Sequence, residues 1–330
     1  MTASMERRVV VTDSEPLLRP GIESLRERGI VVDVLPDGIA PDAAAAAAAD
    51  YPAAIVGLLP FRASAIATLR RTGLLVRAGI GYDIIDVDAA TASGIWVANV
   101  PDYCVDEVAD HAMLLLLSAW RHLSQLEDVW RAGSWVAPGL LPPVDRVRGR
   151  RLGIVGFGRI GRAVASRAQA FGFEPVAHDP FVADDVLTAA AVRPVSLDEL
   201  FTTSDAITLH CPITPATTHL VGVERLAHVR RGVVIVNTSR GGLVDLAALD
   251  DAVVDGRVGA VGLDVVEDEP SPDLRRPLFS RPTVRLTPHV AWYSHEARRD
   301  LALLAAEEAY RFVTGERPRN LVNPQARSGQ

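Results

Sequence analysis

Three segments in the C-terminal half place reactive side chain types just where short apolar runs end. They are Asn237-Thr238-Ser239-Arg240-Gly241-Gly242, then Asp264 with Glu267, Asp268 and Glu269, then Thr287-Pro288-His289. Reduction of a carbonyl by hydride needs these types, because the oxygen must receive a proton as hydride reaches the carbon. Histidine can give that proton near neutral pH, and a carboxylate beside it favours the charged imidazolium. Arginine offers a fixed cationic fork to a substrate carboxylate. Taken singly, each residue also has an ordinary structural reading: Arg240 as a helix-flanking charge, Glu269 as one of several solvated acids, His289 as a loop residue after proline. Spacing alone leaves Glu267 and Glu269 both open as the supporting acid.

Such a reaction needs a hydride carrier, and residues Arg151 to Gly161 supply a place for one. They read RLGIVGFGRIG, a short apolar strand leading directly into Gly156-Phe157-Gly158-Arg159-Ile160-Gly161. Gly156 suits the tight strand-to-helix turn, Gly158 a close backbone approach to a pyrophosphate, and Gly161 close packing of helix on strand. An amphipathic segment, Ala163 to Phe171, follows, and Glu174 to Asp179 reads as a second strand ending in an acid 18 positions after the last glycine. A carboxylate there accepts from ribose hydroxyls and repels a 2′-phosphate, and His178-Asp179-Pro180-Phe181 holds no Arg or Lys to bind one, so NAD is favoured over NADP.

Composition excludes several other classes. The chain has 330 residues, 48% of them hydrophobic and 23% charged, enough for two domains with separate cores. Its formal charge of −7 and scattered arginines give no basic surface for nucleic acid. Cys104 and Cys211 lie in apolar segments without metal-ligand spacing, which argues against a disulfide framework or a zinc site and for a reducing, cytoplasmic setting. The N-terminal MTASMERRVVVTD has no signal-like apolar core, and the run Ala112 to Trp120 is too short to span a bilayer. All 34 basic residues are Arg, so no mechanism can use a catalytic lysine. That usage, with the alanine excess, suggests a bacterium of high GC content.

Before the fingerprint, the strand candidates are Arg8 to Thr12, Ile30 to Leu35, Ala54 to Leu59, Leu74 to Arg77 and Ile95 to Ala98. After it they are Ala206 to His210, Val233 to Asn237, Ala260 to Asp264 and Val284 to Thr287. Ala43 to Ala49, preceded by Pro41-Asp42, reads as a capped alanine helix. Val105 to Ala132 is apolar at helical spacing, and Gly133 to Pro143 reads as a loop. Two doubly wound α/β domains follow, with ligands expected at the carboxyl ends of their parallel strands.

The segments RAGIGYDIIDVDAA, GIVGFGRIG, HCPITPATTHL, NTSRGGLVDLAAL, GLDVVEDEP and TPHVAWYS, in this order from about Arg77 to Ser294, resemble the D-isomer-specific 2-hydroxyacid dehydrogenase family. VANVPDYCVDEV, AQAFGF and Ala291-Trp292-Tyr293-Ser294 are most similar to its branch containing the C-terminal-binding-protein corepressors. The resemblance implies a Rossmann NAD-binding domain, residues 102–293, inserted into a flavodoxin-like substrate domain made of residues 1–101 and 294–330. It implies reversible NAD-dependent reduction of a small 2-oxo acid to a D-2-hydroxy acid. Arg240 would anchor substrate, His289 would be the proton donor, and Glu269 would support it, chosen over Glu267 because it fills the family's ExEP pattern. Arg77 with the amides of Ile80 and Gly81 would hold the substrate carboxylate, and Trp292 would pack on the substrate side chain. Arg159 and Ile160 would meet the pyrophosphate, His210, Cys211 and Pro212 would line the adenosine pocket with Thr217 nearby, and Thr238 and Asp264 would face the nicotinamide. A homodimer through the nucleotide domain is implied too. The second reading from the same branch is an NADH-sensing scaffold that binds peptides. Phosphoglycerate oxidation is disfavoured because the chain shows no regulatory extension, and phosphite oxidation because it has no lysine.

Overall fold

The protein, in a computed structural model, is described over residues 7–135 and 143–327. It divides into two compact units, Met1–Cys104 with Tyr293–Gln330, and Val105–Trp292.

The first unit carries β1 (Arg8–Val11), β2 (Val31–Val34), β3 (Ala53–Val56), β4 (Leu74–Arg77) and β5 (Trp96–Ala98) in one parallel sheet of order β2-β1-β3-β4-β5. Every residue of β3 is buried, the continuous apolar pattern of a parallel strand covered on both faces. The C-terminal segment is part of this unit. Asn323, fully buried, accepts from the Val97 N–H at 2.7 Å and donates to the Ile95 carbonyl at 3.0 Å, and Arg28 pairs with Glu307 at 2.7 Å.

The second unit carries β6 (Arg151–Val155), β7 (Glu174–His178), β8 (Arg193–Pro194), β9 (Ala206–Leu209), β10 (Val233–Asn237), β11 (Val258–Leu263) and β12 (Val284–Leu286). They form a parallel sheet of order β12-β11-β10-β9-β6-β7-β8, a doubly wound Rossmann arrangement. Alternation along β9 and β10 splits the core: Ile207, Leu209 and Ile235 enter one apolar cluster, and Ala206, Val234 and Val236 the other. The helix Val105–Trp120 contributes Ala112, Met113, Leu116 and Trp120 to the second cluster, where the Trp120 ring meets Phe173 edge-on at 5.6 Å.

One sequence expectation needs correction. The alanine helix, Pro41–Ala48, has no side-chain cap: Pro41 and Asp42 lie inside its first turn, and Ala40 stands at the cap position. The run Val105 to Ala132, apolar at helical spacing, forms two helices, Val105–Trp120 and Leu123–Arg131, separated where His122 adopts φ 52°. The two-residue β8 was too short for the alternation pattern to reveal. Residues 136–142 of the expected loop Gly133 to Pro143 lie outside the described residues.

Candidate active and cofactor sites

Strand order in the second sheet reverses between β6 and β9, and the polar residues singled out from the sequence in this unit lie at the carboxyl ends of its strands. Gly156 follows β6 with φ +91°, and a Cβ there would lie 2.6 Å from the His210 carbonyl oxygen, so only glycine lets the loops after β6 and β9 touch. Gly158 caps the helix Arg159–Phe171, and a Cβ on it would meet nothing within 4 Å. The cradle therefore has open space beside it. The helix begins at Arg159 directly behind this turn, and the first-turn N–H groups of a helix point out of its N-terminus, the arrangement that receives an anion. Asp179, just past β7, accepts from the Phe157 N–H at 2.7 Å on Oδ2 and from the Phe181 N–H at 2.9 Å on Oδ1. Each oxygen keeps acceptor capacity beyond these bonds, as a ribose diol requires.

Around this cradle, burial pushes the His210 imidazole down to about 3, so the ring is neutral; its Nε2 lies 2.9 Å from Thr208 Oγ1. His210 Nδ1 and Thr238 Oγ1 are buried without a hydrogen-bond partner among the described residues, as expected of atoms waiting for a polar ligand. Burial also pushes the Cys211 thiol up to about 11, which makes it a protonated wall rather than a nucleophile. Thr217 holds its own loop together. Its hydroxyl donates to the Pro212 carbonyl at 2.8 Å and accepts from the Thr214 N–H at 2.7 Å, closing the turn Pro212 to Thr217. The open glycine turn, the helix start behind it and the orphaned polar atoms fit a dinucleotide.

After β12, at the edge of the same sheet, the structure brings Glu269 to His289. Glu269 Oε2 lies 2.5 Å from His289 Nδ1, and its Oε1 accepts from the Val266 N–H at 2.8 Å. A carboxylate only accepts, so Nδ1 carries the proton, and Nε2 makes no hydrogen bond among the described residues. Burial raises the Glu269 pKa, but the bonds from His289 and Val266 and the charges of His289 and Arg240 outweigh it and hold this carboxyl below its ordinary range. Glu267 goes elsewhere: its Oε1 lies 2.6 Å from His219 Nε2. The ambiguity between the two acids is thus resolved geometrically, each with its own histidine.

Arg240 sits on the turn after β10. Asn237, fully buried, ties that turn by donating to the Arg240 carbonyl at 2.8 Å and accepting from the Ser239 N–H at 3.0 Å. Gly241 allows the turn to press on the next loop, for a Cβ there would lie 2.0 Å from the Val266 carbonyl. This contact is why the Arg240 and Glu269 segments lie together.

Asp264, 1% exposed, organises the loop that carries His289. Its Oδ1 accepts from Thr287 Oγ1 at 2.6 Å and from the Val290 N–H at 3.0 Å; its Oδ2 accepts from the Ala291 N–H at 2.9 Å. The His289 N–H donates to the Asp264 carbonyl at 2.8 Å, and Trp292 Nε1 donates to the His289 carbonyl at 3.0 Å. His111 Nε2, from the helix Val105–Trp120, lies 2.9 Å from Thr287 Oγ1. Sequence reasoning missed His111 and the anchoring role of Thr287; the only signal was a histidine inside an otherwise apolar helical run.

In the first unit, Arg77 ends β4 and its Nη1 donates to the Ala78 carbonyl, while Ile80 and Gly81 follow in the same loop. Asn99 Nδ2 donates to the Ile80 carbonyl at 2.7 Å and fixes this segment, another contact that sequence did not reveal.

A doubly wound sheet with a glycine turn at its switch point, and with a histidine–glutamate pair and an arginine at the carboxyl ends of its other strands, defines a dinucleotide-dependent oxidoreductase class. Residues 113–291 match the family model described as "D-isomer specific 2-hydroxyacid dehydrogenase, NAD binding domain", and the chain belongs to that family. It is 40% identical over 275 residues to a glyoxylate reductase of Korarchaeum cryptofilum, 82% of each chain. Among solved structures it resembles a glyoxylate reductase from Paecilomyes thermophila, TM-score 0.89, 30% identity, covering 98% of this chain and 100% of that one. A D-lactate dehydrogenase from Aquifex aeolicus, complexed with NAD and lactic acid, gives TM-score 0.85 at 25% identity over 96% and 98% of the two chains. The chain spans about half the length of the D-3-phosphoglycerate dehydrogenases it matches, 49% of the Mycobacterium leprae protein. Two parallel-sheet α/β units and NAD as cofactor are thereby given. No described helix is long and apolar enough to cross a membrane.

Proposed function

We propose that this protein reduces a small 2-oxo acid to the D-2-hydroxy acid, reversibly, with His289 as the proton donor. The observation that carries this reading is the 2.5 Å contact between Glu269 and His289 Nδ1, which leaves Nε2 as the ring's proton-transferring atom. Bound NADH supplies the hydride. As the substrate carbonyl carbon receives it, His289 gives its Nε2 proton to the oxygen, and the ionised Glu269 stabilises the imidazolium before that transfer. Arg240 sets its positive charge against the substrate's polarised oxygens, and Arg77, with the N–H groups of Ile80 and Gly81, holds the substrate carboxylate. Trp292, its indole tied to the His289 carbonyl, packs on the substrate side chain. On the cofactor side, Gly156, Gly158, Arg159, Ile160 and Gly161 cradle the pyrophosphate and Asp179 takes the adenosine ribose. His210, Cys211, Pro212 and Thr217 surround the adenosine, and Thr238 and Asp264 border the nicotinamide.

On this reading residues 102–293 form the cofactor domain and residues 1–101 with 294–330 the substrate domain. The protein works in the cytoplasm as a homodimer, with Leu114 of the helix Val105–Trp120, 57% exposed, in the contact. The glyoxylate reductase relatives favour a short oxo acid. One observation favours a corepressor-like, NADH-sensing alternative: the Ala291-Trp292-Tyr293-Ser294 segment. Against it stand enzyme relatives across most of the chain and a catalytic set with its proton-transfer pair in contact.

The test is NADH oxidation by purified protein against glyoxylate, pyruvate and phenylpyruvate, with His289→Ala beside the wild type. Turnover of one acid is expected, and the variant should lose about 10²- to 10⁴-fold in kcat while NADH affinity, read by fluorescence, stays nearly unchanged. A variant with near wild-type turnover would refute the assignment of His289.

A further inference from the structure

Resting on the reading just given, we infer that His111 is a positioning residue for the reaction. It acts through Thr287 on Asp264 and on the loop that presents His289, without touching the reacting atoms itself.

The hydrogen bonds run in one direction. Asp264 accepts only, so the single Thr287 hydroxyl proton is committed to Asp264 Oδ1 at 2.6 Å. Thr287 Oγ1 is then the acceptor for His111 Nε2 at 2.9 Å, which places the donated proton of His111 on Nε2. His111 Nε2 also lies 3.6 Å from Asp264 Oδ1, and the two side chains are 16% and 0% exposed. This short chain of groups ends on the carboxylate that grips the backbone N–H groups of Val290 and Ala291, directly after His289. The Asp264 carbonyl takes the His289 N–H itself.

That grip has something to hold. His289 is a non-glycine residue at φ 54°, a backbone state that persists only where surroundings fix it. Thr287, two residues earlier, is held from one side by Asp264 and from the other by His111, which stands on a helix whose inner face, with Ala112, Leu115 and Leu116, packs into the core of the same unit. A helix is a rigid mount, whereas the 287–291 segment is a loop, so the bond from His111 transfers the helix's fixed position to the loop. Displacement of a proton donor by an ångström costs about 10²-fold in rate, and His289 depends on this loop for both its backbone and its ring orientation.

The test compares His111→Leu, which removes the donor, with His111→Gln, whose side-chain amide donates at similar reach, using the 2-oxo acid that the wild type reduces. His111→Leu is expected to lower kcat about 10- to 10²-fold with NADH affinity and substrate KM within about threefold of wild type, and His111→Gln to recover most of the loss. In the cofactor-free protein, the His289 Cε1–H proton resonance, identified by its absence from His289→Gln, should move or broaden in His111→Leu and return in His111→Gln. Thr287→Val, cutting the same link from the other end, should reproduce the Leu phenotype, and the double variant should be no worse than either single one. Equal loss in the Leu and Gln variants, or additive losses in the double variant, would overturn the inference, as would an unmoved His289 resonance. If the wild type turns over none of the acids, the parent reading fails, and the resonance still decides whether His111 positions His289.

Discussion

Each sheet reverses its strand order once, between β1 and β3 in the first unit and between β6 and β9 in the second, and the two crevices are filled in opposite ways. At the first, Asp13 turns a nearly buried carboxylate onto the loops. Oδ1 accepts from the Gly57 N–H at 2.9 Å and Thr12 Oγ1 at 2.7 Å, and Oδ2 accepts from the Leu58 N–H and from Ser14 Oγ at 3.0 Å. At the second, the corresponding loop Gly156-Phe157-Gly158 has one side chain, the Phe157 ring, which is buried, and Gly158 faces open space. Backbone N–H groups at the ends of parallel strands and the starts of helices attract an anion in either place. In the first crevice the loop after β1 supplies its own carboxylate to the neighbouring loop; in the second the glycine loop offers no carboxylate, and Asp179, from the end of β7, takes the Phe157 N–H. Topology nominates both crevices as sites, and side-chain chemistry at a few positions decides which one takes a ligand.

The largest test of this contrast is Gly156→Val. A β-branched side chain at φ +91°, with its Cβ 2.6 Å from the His210 carbonyl, forces the two loops apart. NADH affinity should fall by at least about 10³-fold, equivalent to about 4 kcal/mol, in a fluorescence titration; tight binding by this variant would mean that the cradle does not hold the dinucleotide. Asp13→Asn at the other crevice should behave inversely. It exchanges a charge-assisted acceptor for an amide that cannot accept on both sides, and unfolding in urea should show a loss of about 1–3 kcal/mol with NADH affinity within about twofold of wild type. A strong NADH defect there would erase the distinction between the two crevices.

The smallest effect concerns the Glu269–His289 pair. Glu269 has its carboxyl held below the ordinary value of 4.5, so the unfolded chain takes up this proton at higher pH than the folded one. Its stabilisation is therefore fully present above that value and disappears as pH falls through the folded value. Glu269→Gln should cost at most about 1 kcal/mol at neutral pH, and the gap to wild type should close below pH 4.5 in urea titrations run across that range. A gap that persisted unchanged into strong acid would show that the carboxylate charge is not what stabilises the loop.

The legible part of this fold and site has a common cause. Strand ends fell within two residues of expectation for ten of the eleven strands foreseen, the exception being β3, expected over Ala54 to Leu59 and found at Ala53–Val56. Buried parallel strands advertise themselves as apolar runs, and β3 misled because the apolar run continues through Leu58 and Leu59 after pairing has stopped. The glycine fingerprint and the acid ending β7 are local geometry written in consecutive residues. Which acid serves His289 was open from spacing alone and rested on a family pattern, because Glu267 and Glu269 stand two positions apart on one loop.

The two parallel α/β units, the glycine turn Gly156 to Gly161 between a strand and a helix, and the short list of residues able to move a proton were legible in the sequence. These follow from periodicity and from the backbone states that glycine permits, properties of neighbouring residues. Only the tertiary structure decided that Glu269 meets His289 while Glu267 meets His219, that Asp13 closes one crevice, and that His111 reaches Thr287 across 176 positions of chain. Hydrogen-bond partners are selected by distances of about 3 Å, and such distances between segments remote in sequence exist only once helices and strands have packed.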